Sequence, residues 1–559
     1  MVAVQFRVAS RFRRHWCVLA AAVLMAQSTN VRAQTAEQTF ELRAGWNAVY
    51  VEVDPKPSDL DVLLDGLAVT SVWMREEGHL AGGVVPCTDE ADASCVVSTN
   101  TGWRVWFPPD EPQRAVQSLR ALRGGRVYLI EAAQAGTWTI RGRPNSSVTR
   151  WPQGFDLAGF HVVDQAESAP TFVQYLSGSP AHRDAAVFEI NADGTLARIV
   201  DPDQRRISPG RGYWVESSRR TVYDGPIRID TRSLRGVSLF PGAAKHFIEI
   251  ENLTDDAGFV AIAERTSQMR DGSPTEADAR VPLMWYDFSG GPSPVWRDLD
   301  NVQVPLASKG APGSKRTLRV GARQMELATL GNDDIRGHES VLAVTDGSGF
   351  CRLLPLTAQG GSQDGLWVGD VTINEVASPE EDDGDLTPTS SEFMFRIIIH
   401  KSGADYRLLR EVVLVYQETE QSYLLVTPSC FELLDADVAS PRVSTANFAF
   451  EDSFPLIGDF ATQLVTSLTP YATSIDVGAT DALNPFFHPF NPIHDEGFEV
   501  KRDLTLTFDA DGGGDPEWGT TRLAGTYEEN LSGLHRYQIE ARGRFELRRV
   551  SYIATLCGP

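Results

Sequence analysis

Apolar and polar residues alternate through much of the chain's second half, the signature of half-buried β-strands. In T-L-R-V-G-A-R from Thr317, residues Leu318, Val320 and Ala322 share one face, while Thr317, Arg319 and Arg323 share the other. H-F-I-E-I-E-N from His246, F-V-A-I-A-E-R from Phe259 and V-P-L-M-W-Y-D-F from Val281 continue this pattern between Gly, Pro, Asn and Asp turns. Residues 234–332 are therefore expected to form an immunoglobulin-like sandwich, although no Cys–Trp–Cys core marks them as a true member. Residues 333–559 predict a larger C-terminal β domain. Its strands include L-W-V-G-D-V-T-I from Leu366, F-M-F-R-I-I-I-H from Phe393, V-V-L-V-Y from Val412, D-L-T-L-T-F from Asp503 and R-F-E-L-R-R-V from Arg544.

The first half reads as a degenerate duplication, giving β-rich modules over 34–147 and 148–233. F-E-L-R-A-G-W-N-A-V at Phe40 is matched with F-D-L-A-G-F-H-V-V at Phe155. Each is followed by a short helix-like run ending on glycine, S-D-L-D-V-L-L-D-G at Gly66 and P-T-F-V-Q-Y-L-S-G at Gly178. Val72-Trp73 corresponds to Val187-Phe188, and both copies close on G-R-x-aromatic strands, at Gly125 and Gly210. On this alignment Phe40 should match Phe155, and Tyr128 should match Tyr213. The first copy is longer between Gly78 and Gly125. The extra segment is expected to hold Trp103, Trp106 and Phe107, either as loop aromatics for a sugar or protein partner or as a small packing core. The fold class is mainly β: two tandem modules, one sandwich and one larger β domain.

The N-terminus changes the expected location. Arg7, Arg11, Arg13 and Arg14 precede the apolar run Cys17–Met25, and Val31-Arg32-Ala33 precedes Gln34, which predicts a cleaved signal peptide over 1–33. A periplasmic or secreted protein is expected. No later stretch approaches the roughly 20 apolar residues of a membrane helix, so no membrane span and a soluble mature chain are expected. Cleavage removes five arginines and no acid, moving the formal charge from −24 to −29. That acidity argues against nucleic-acid binding, which needs a basic stripe to displace counterions. It is compatible with divalent cations, and equally with a solvated secreted surface.

Five cysteines would remain. Cys87 and Cys95 bracket a polar segment and are expected to form a local disulfide in an oxidising compartment. Among Cys351, Cys430 and Cys557, the favoured pair is Cys430 with Cys557, and the odd count leaves one thiol over.

Two segments could carry metal chemistry. H-P-F-N-P-I-H-D-E places His488, His494, Asp495 and Glu496 together, a donor set suited to zinc or another divalent ion. Its prolines exclude a regular helix, and a rigid loop with backbone-bonded histidines explains the same residues. D-A-D-G-G-G-D places Asp509, Asp511 and Asp515 at positions 1, 3 and 7 of a glycine-rich loop, somewhat like a calcium loop. A hairpin turn accounts for them as well. No nucleophile elbow, phosphate-binding loop, dinucleotide fingerprint or papain-like cysteine context occurs.

The N-terminal repeats resemble the G-W-N modules of exported multidomain β proteins of Gram-negative bacteria. The run from G-L-W-V-G at Gly365 through N-P-F-F-H at Asn484 to A-G-T-Y-E-E-N-L-S-G-L-H at Ala524 resembles a terminal module of similar proteins. The resemblance implies an exported β architecture and no particular activity. The resulting expectation is a non-catalytic binding or structural protein with a protein or polysaccharide partner. The alternative is a secreted hydrolase or carbohydrate-active protein with a C-terminal divalent-metal site.

Overall fold

The computed structural model describes residues 36–76, 102–233, 235–265, 281–288, 295–329, 338–378, 380, 384–403, 405–417, 422–427, 430, 439–447, 454–455, 471–481, 484, 499–509 and 514–557. The chain is mainly β, built from tandem modules of antiparallel sheets. Residues 1–33, Cys87, Cys95, His488, His494, Asp495, Glu496 and Asp511 lie outside the described residues.

The two N-terminal modules have the same strand order. In the first, Gly45–Val51, Arg126–Ala132, Val69–Arg75 and Trp103–Trp106 lie side by side; in the second, Gly154–Gly159, Gly212–Ser217, Val187–Ile190 and Leu196–Arg198 do. Each carries a short helix after its first strand, Leu60–Leu63 and Phe172–Leu176, the second closed by a Thr171/Gln174 capping box. Tyr128 and Tyr213 occupy matching places. Both are fully buried, and both phenol oxygens accept a hydrogen bond from the backbone N–H five residues earlier, at Arg123 and Ser208.

Phe40 and Phe155 do not correspond. Phe40 is buried on the strand Ala36–Leu42, in a separate three-stranded sheet, whereas Phe155 is exposed on Gly154–Gly159. Since Tyr128 pairs with Val49 and Tyr213 with Ala158, the residue matching Phe155 is Trp46. The true anchors are Gly45 and Gly154, which both start their strands in left-handed backbone, φ 88° and 93°. The strand Trp103–Trp106 is also not part of an insertion. Val72 pairs with Trp106, so these residues form the fourth strand of the module sheet.

Glycine lets the modules interlock. Tyr50 and Val127 are cross-strand partners in the first module, Gly159 and Gly212 in the second. A Cβ on Gly159 would lie 1.9 Å from the Tyr50 ring, and one on Gly212 2.2 Å from Val127. The larger pair thus seats on the backbone of the smaller one. Backbone bonds from Trp46 N–H to Ala192 O and from Tyr50 N–H to Gly210 O, 2.9 and 2.8 Å, fix the contact.

The sandwich consists of two five-stranded sheets. One orders Ile227–Asp230, Lys245–Asn252, Lys315–Ala322, Leu283–Asp287 and Val295–Asp298; the other orders Val237–Leu239, Cys351–Ala358, His338–Asp346, Gly258–Arg265 and Asn301–Leu306. Pairing therefore runs past the boundary expected at 332/333, because His338–Asp346 lies between Cys351–Ala358 and Gly258–Arg265. The sandwich core is continuous with that of the second module through Phe160, Tyr175 and Phe350.

The C-terminal unit is an eight-stranded antiparallel sheet. Its order is Phe454–Pro455, Asp405–Leu408, Leu386–Ser402, Gly365–Ala377, Ile539–Ser551, Arg522–Ser532, Val500–Phe508 and Tyr471–Val477. The first and last of these strands touch, and the Tyr406 and Tyr471 rings meet 5.5 Å apart, so the sheet curls into a barrel. Trp367, Tyr471, Tyr527, Phe508 and Phe545 fill the interior beside Gly525, where a Cβ would fall 2.8 Å from the Phe545 ring. A four-stranded sheet of Ala439–Asn447, Glu411–Gln417, Ser422–Val426 and Leu556–Cys557 packs outside, through Leu366, Ile398, Val412 and Leu425.

Cys430 and Cys557 form a disulfide, and Cys351 is a buried free thiol. The bond holds the two-residue strand Leu556–Cys557 against Ser422–Val426. Cys557→Ala should therefore lower stability by about 2 kcal/mol, the low end for a disulfide, because the small sheet is affected before the barrel. Urea unfolding checks the magnitude. Non-reducing peptide mapping should recover the two cysteine peptides joined, and two free thiols there would contradict the assignment.

Candidate functional site

Two clusters of functional side chains stand out, one closed and one open. The closed cluster lies where the first two modules meet the sandwich. Tyr50 and Glu52 come from the end of Gly45–Val51, His161 and Asp164 from the segment after Gly154–Gly159, and Cys351 and Arg352 from the sandwich strand Cys351–Ala358. Backbone bonds from Val163 N–H to Gly349 O and from Cys351 N–H to His161 O tie these segments together.

His161 Nε2 is 3.2 Å from the Tyr50 phenol oxygen and its Nδ1 3.4 Å from Glu52 Oε1. Arg352 Nη2 donates to Ser147 O at 2.7 Å, and Nη1 lies 3.5 Å from Asp224. Burial pushes Glu52 up to about 8, reinforced by Asp164 and opposed by Arg352 and Arg265. Burial also pulls His161 down to about 3, with Arg352 adding to the effect. Tyr50 is raised by burial and by Glu52, and Cys351 by burial to about 12. Carboxyl, imidazole and hydroxyl follow one another as they do in hydrolytic relays. Tyr50 and His161 are only 3% and 5% exposed, however, so no substrate reaches them in this arrangement. Neutral at ordinary pH, the three groups satisfy one another and join the modules.

The open cluster is a row across the outer face of the first sandwich sheet. Phe247 is directly opposite Arg319, and Tyr286 directly opposite Trp296. Trp285 pairs with Val320, which places Tyr286 beside Arg319 on the same face. The Arg319 guanidinium carbon is 5.2 Å from the Phe247 ring centroid and 4.9 Å from that of Tyr286. Trp296 and Phe288 each approach Tyr286 to 5.0 Å. Phe247 is 42% and Phe288 60% exposed. One side of the row is bounded by a barrel loop: Pro516 packs over Gly321, and Gly514 lies against Met284 and Trp296. Lys245 anchors that loop through Asp515 at 3.3 Å and Glu517 at 2.9 Å.

The residues expected to carry chemistry are distributed otherwise. Asp509 pairs with Arg544, while Asp515 faces Lys245 and, at 3.9 Å, Arg522. Among the described residues, no group of three or more His, Cys, Asp or Glu side chains is arranged to hold a metal ion. The Trp103, Trp106 and Phe107 trio is divided. Trp106 is buried with its indole N–H on Asp61 at 2.7 Å, Trp103 lies beside Trp214, and Phe107 stands edge-on to Trp73. No described helix is long and apolar enough to cross a membrane.

Arg319 was already on the polar face of its strand in the sequence pattern, but nothing local marked it as functional. Its setting depends on three other strands coming into register. The only sequence signal was the density of aromatics in M-W-Y-D-F from Met284.

No family model and no curated protein matches the chain. Similar solved structures include a protein of unknown function from Bacteroides ovatus, with 12% identity and a TM-score of 0.17, covering 57% of this chain and 90% of that one. The Pseudomonas aeruginosa CupB2 chaperone has 10% identity and a TM-score of 0.14, covering 34% and 94%. The E. coli chaperone DraB has 10% identity and a TM-score of 0.14, covering 33% and 87%. Scores of this size carry no inference about activity.

Proposed function

We propose that this chain is an exported, non-catalytic binding protein of the periplasm or cell exterior. Its interlocked β modules act as a stiff support for a contact surface, and its partner is a polysaccharide or protein of the envelope. The observation that carries this reading is the solvent-facing row Phe247–Arg319–Tyr286–Trp296 on the outer face of the sandwich. Large rings grouped on an outer sheet face, with Phe247 exposed and Tyr286 and Trp296 half-buried, are typical of recognition surfaces. The carboxyl–imidazole–hydroxyl cluster weighs against a hydrolase, since it is sealed between modules and occupied with joining them.

Export and binding are tested together. Protein recovered outside the cytoplasm should begin at Gln34 by intact mass and should co-sediment with envelope material from the producing cell. A Tyr286→Ala/Trp296→Ala variant should stay folded and remain at least tenfold more in the supernatant. Cytoplasmic material beginning at Met1 would overturn export. Equal sedimentation of the variant would overturn the assigned surface.

A further inference from the structure

We infer that the outer face of the sandwich is a binding site for carboxylate-bearing glycans, with Arg319 receiving the carboxylate and Phe247 and Tyr286 stacking on the flanking sugar rings. This rests on the binding reading above and names the ligand class of the same surface.

The first argument is charge. The chain carries 75 acidic and 51 basic residues, so a cation on its surface ordinarily meets an anion. Around the row this holds for every neighbour in turn. Lys315 faces Glu249 at 2.5 Å, Arg323 faces Asp298 at 2.5 Å, and Lys245 faces Asp515 and Glu517. Arg319 has no ion pair or hydrogen bond among the described residues, and its Nε is shielded from solvent. Each of those three cations has a carboxylate against it, which leaves Arg319 as the cation of this face with no anion of its own among the described residues. Guanidinium is the side chain best suited to remain there, being weakly hydrated and stable against aromatic faces. Its planar fork is also the one that binds carboxylate in bidentate fashion.

The second argument is shape. Lys315–Ala322 and Leu283–Asp287 are interior strands of the sheet, paired with each other over Leu283–Trp285 and Val320–Ala322. Ladder groups lie in the plane of a sheet, so the outer face that carries the row offers side chains and not ladder bonds to an extended peptide. What it offers is ring faces on either side of a guanidinium, at strand-to-strand spacing. Pyranose rings present apolar C–H faces that cover aromatic rings, and a uronic acid adds one carboxylate at the ring edge. A carboxylated glycan uses the guanidinium and the two rings that flank it. A carboxylate on Arg319 with its sugar ring against a flanking aromatic makes contacts that offset repulsion by the acidic chain, and a polyanion without sugar rings lacks them.

Affinity electrophoresis of the full mature chain through gels containing alginate, polygalacturonate or hyaluronate tests the inference. Retardation is expected in at least one of them, and at least tenfold less in the same polymer after its carboxyl groups are reduced to alcohols. Arg319→Gln should abolish retardation with Tm unchanged. Phe247→Ala, at a position already exposed, should weaken it at least threefold. Equal retardation by the reduced polymer, undiminished retardation of Arg319→Gln, or equal retardation by poly-glutamate would each overturn the inference, as would no retardation in any of the three gels. Envelope co-sedimentation without glycan retardation would sink this ligand class and leave the binding reading standing. Loss of both would sink both.

Discussion

Glu529→Ala should destabilise the C-terminal barrel by about 3–5 kcal/mol, the usual cost of removing one member of a buried ion pair. Glu529 is only 4% exposed on the inner face of Arg522–Ser532, where it pairs with Arg502 and accepts from the Tyr527 hydroxyl at 3.0 Å. Arg502 points inward from Val500–Phe508 and lies over the Phe395 ring, 5.9 Å from its centroid. Truncating Glu529 takes a strong acceptor from a part-buried cation and a buried phenol together. Glu529→Gln keeps an acceptor for Tyr527 and should cost about half as much. A combined Arg502→Met/Glu529→Leu variant should recover most of the loss, because the desolvation penalty of both charges disappears with their attraction. Urea denaturation followed by barrel tryptophan fluorescence measures all three. A loss below about 1 kcal/mol for Glu529→Ala would mean that the pair behaves as a solvated surface bridge.

How much of this was legible in the sequence depends on the range over which each feature is specified. Alternation is local, and it located Lys315–Ala322, Val500–Phe508 and Ile539–Ser551 because one face of each is buried. The order of elements in the duplicated modules was also readable, since G-R-x-aromatic closing strands recur and Tyr128 and Tyr213 make the same backbone contact. Register was misread by six residues, Phe40 being matched where Trp46 belongs. F-E-L and F-D-L look alike, but Gly45 and Gly154 are the positions where the backbone must turn left-handed, and positive φ leaves only a glycine in the sequence. Trp103–Trp106 was assigned to an insertion because the distance from Gly78 to Gly125 hides a pairing with Val69–Arg75 that only tertiary structure supplies. The same limit applies to the candidate sites. Arg319 and Tyr286 are 33 positions apart, and Glu52 and His161 are 109 apart. Neither meeting is encoded by a spacing, so a motif search looks past both while finding His488 and His494.

The junction between modules should be most stable in mildly acidic solution, because two of its groups titrate in opposite senses. Glu52 is raised from its ordinary 4.5 to about 8 by burial first and Asp164 second. Between these values the unfolded chain ionises while the folded one stays protonated, so Glu52 makes stability fall as pH rises from about 4.5 to 8. His161 is lowered from 6.5 to about 3 by burial and by Arg352. In that window the unfolded chain takes a proton that the folded one refuses, so His161 makes stability fall as pH drops from about 6.5 to 3. The two slopes cancel between roughly 4.5 and 6.5, giving a plateau. Above it only Glu52 acts, and about 2 kcal/mol should be lost by pH 9; below it only His161 acts, with a similar loss by pH 3. Glu52→Gln cannot ionise. Its advantage over wild type should grow from its pH 4 value by about 3–5 kcal/mol at pH 9, appearing in calorimetry as a higher-melting transition for the first two modules and the sandwich. His161→Gln should remove the acid limb and leave the alkaline one. If Glu52→Gln and wild type keep a constant separation from pH 4 to 9, Glu52 is ionised in the fold, and the neutral joint assigned to this cluster is wrong.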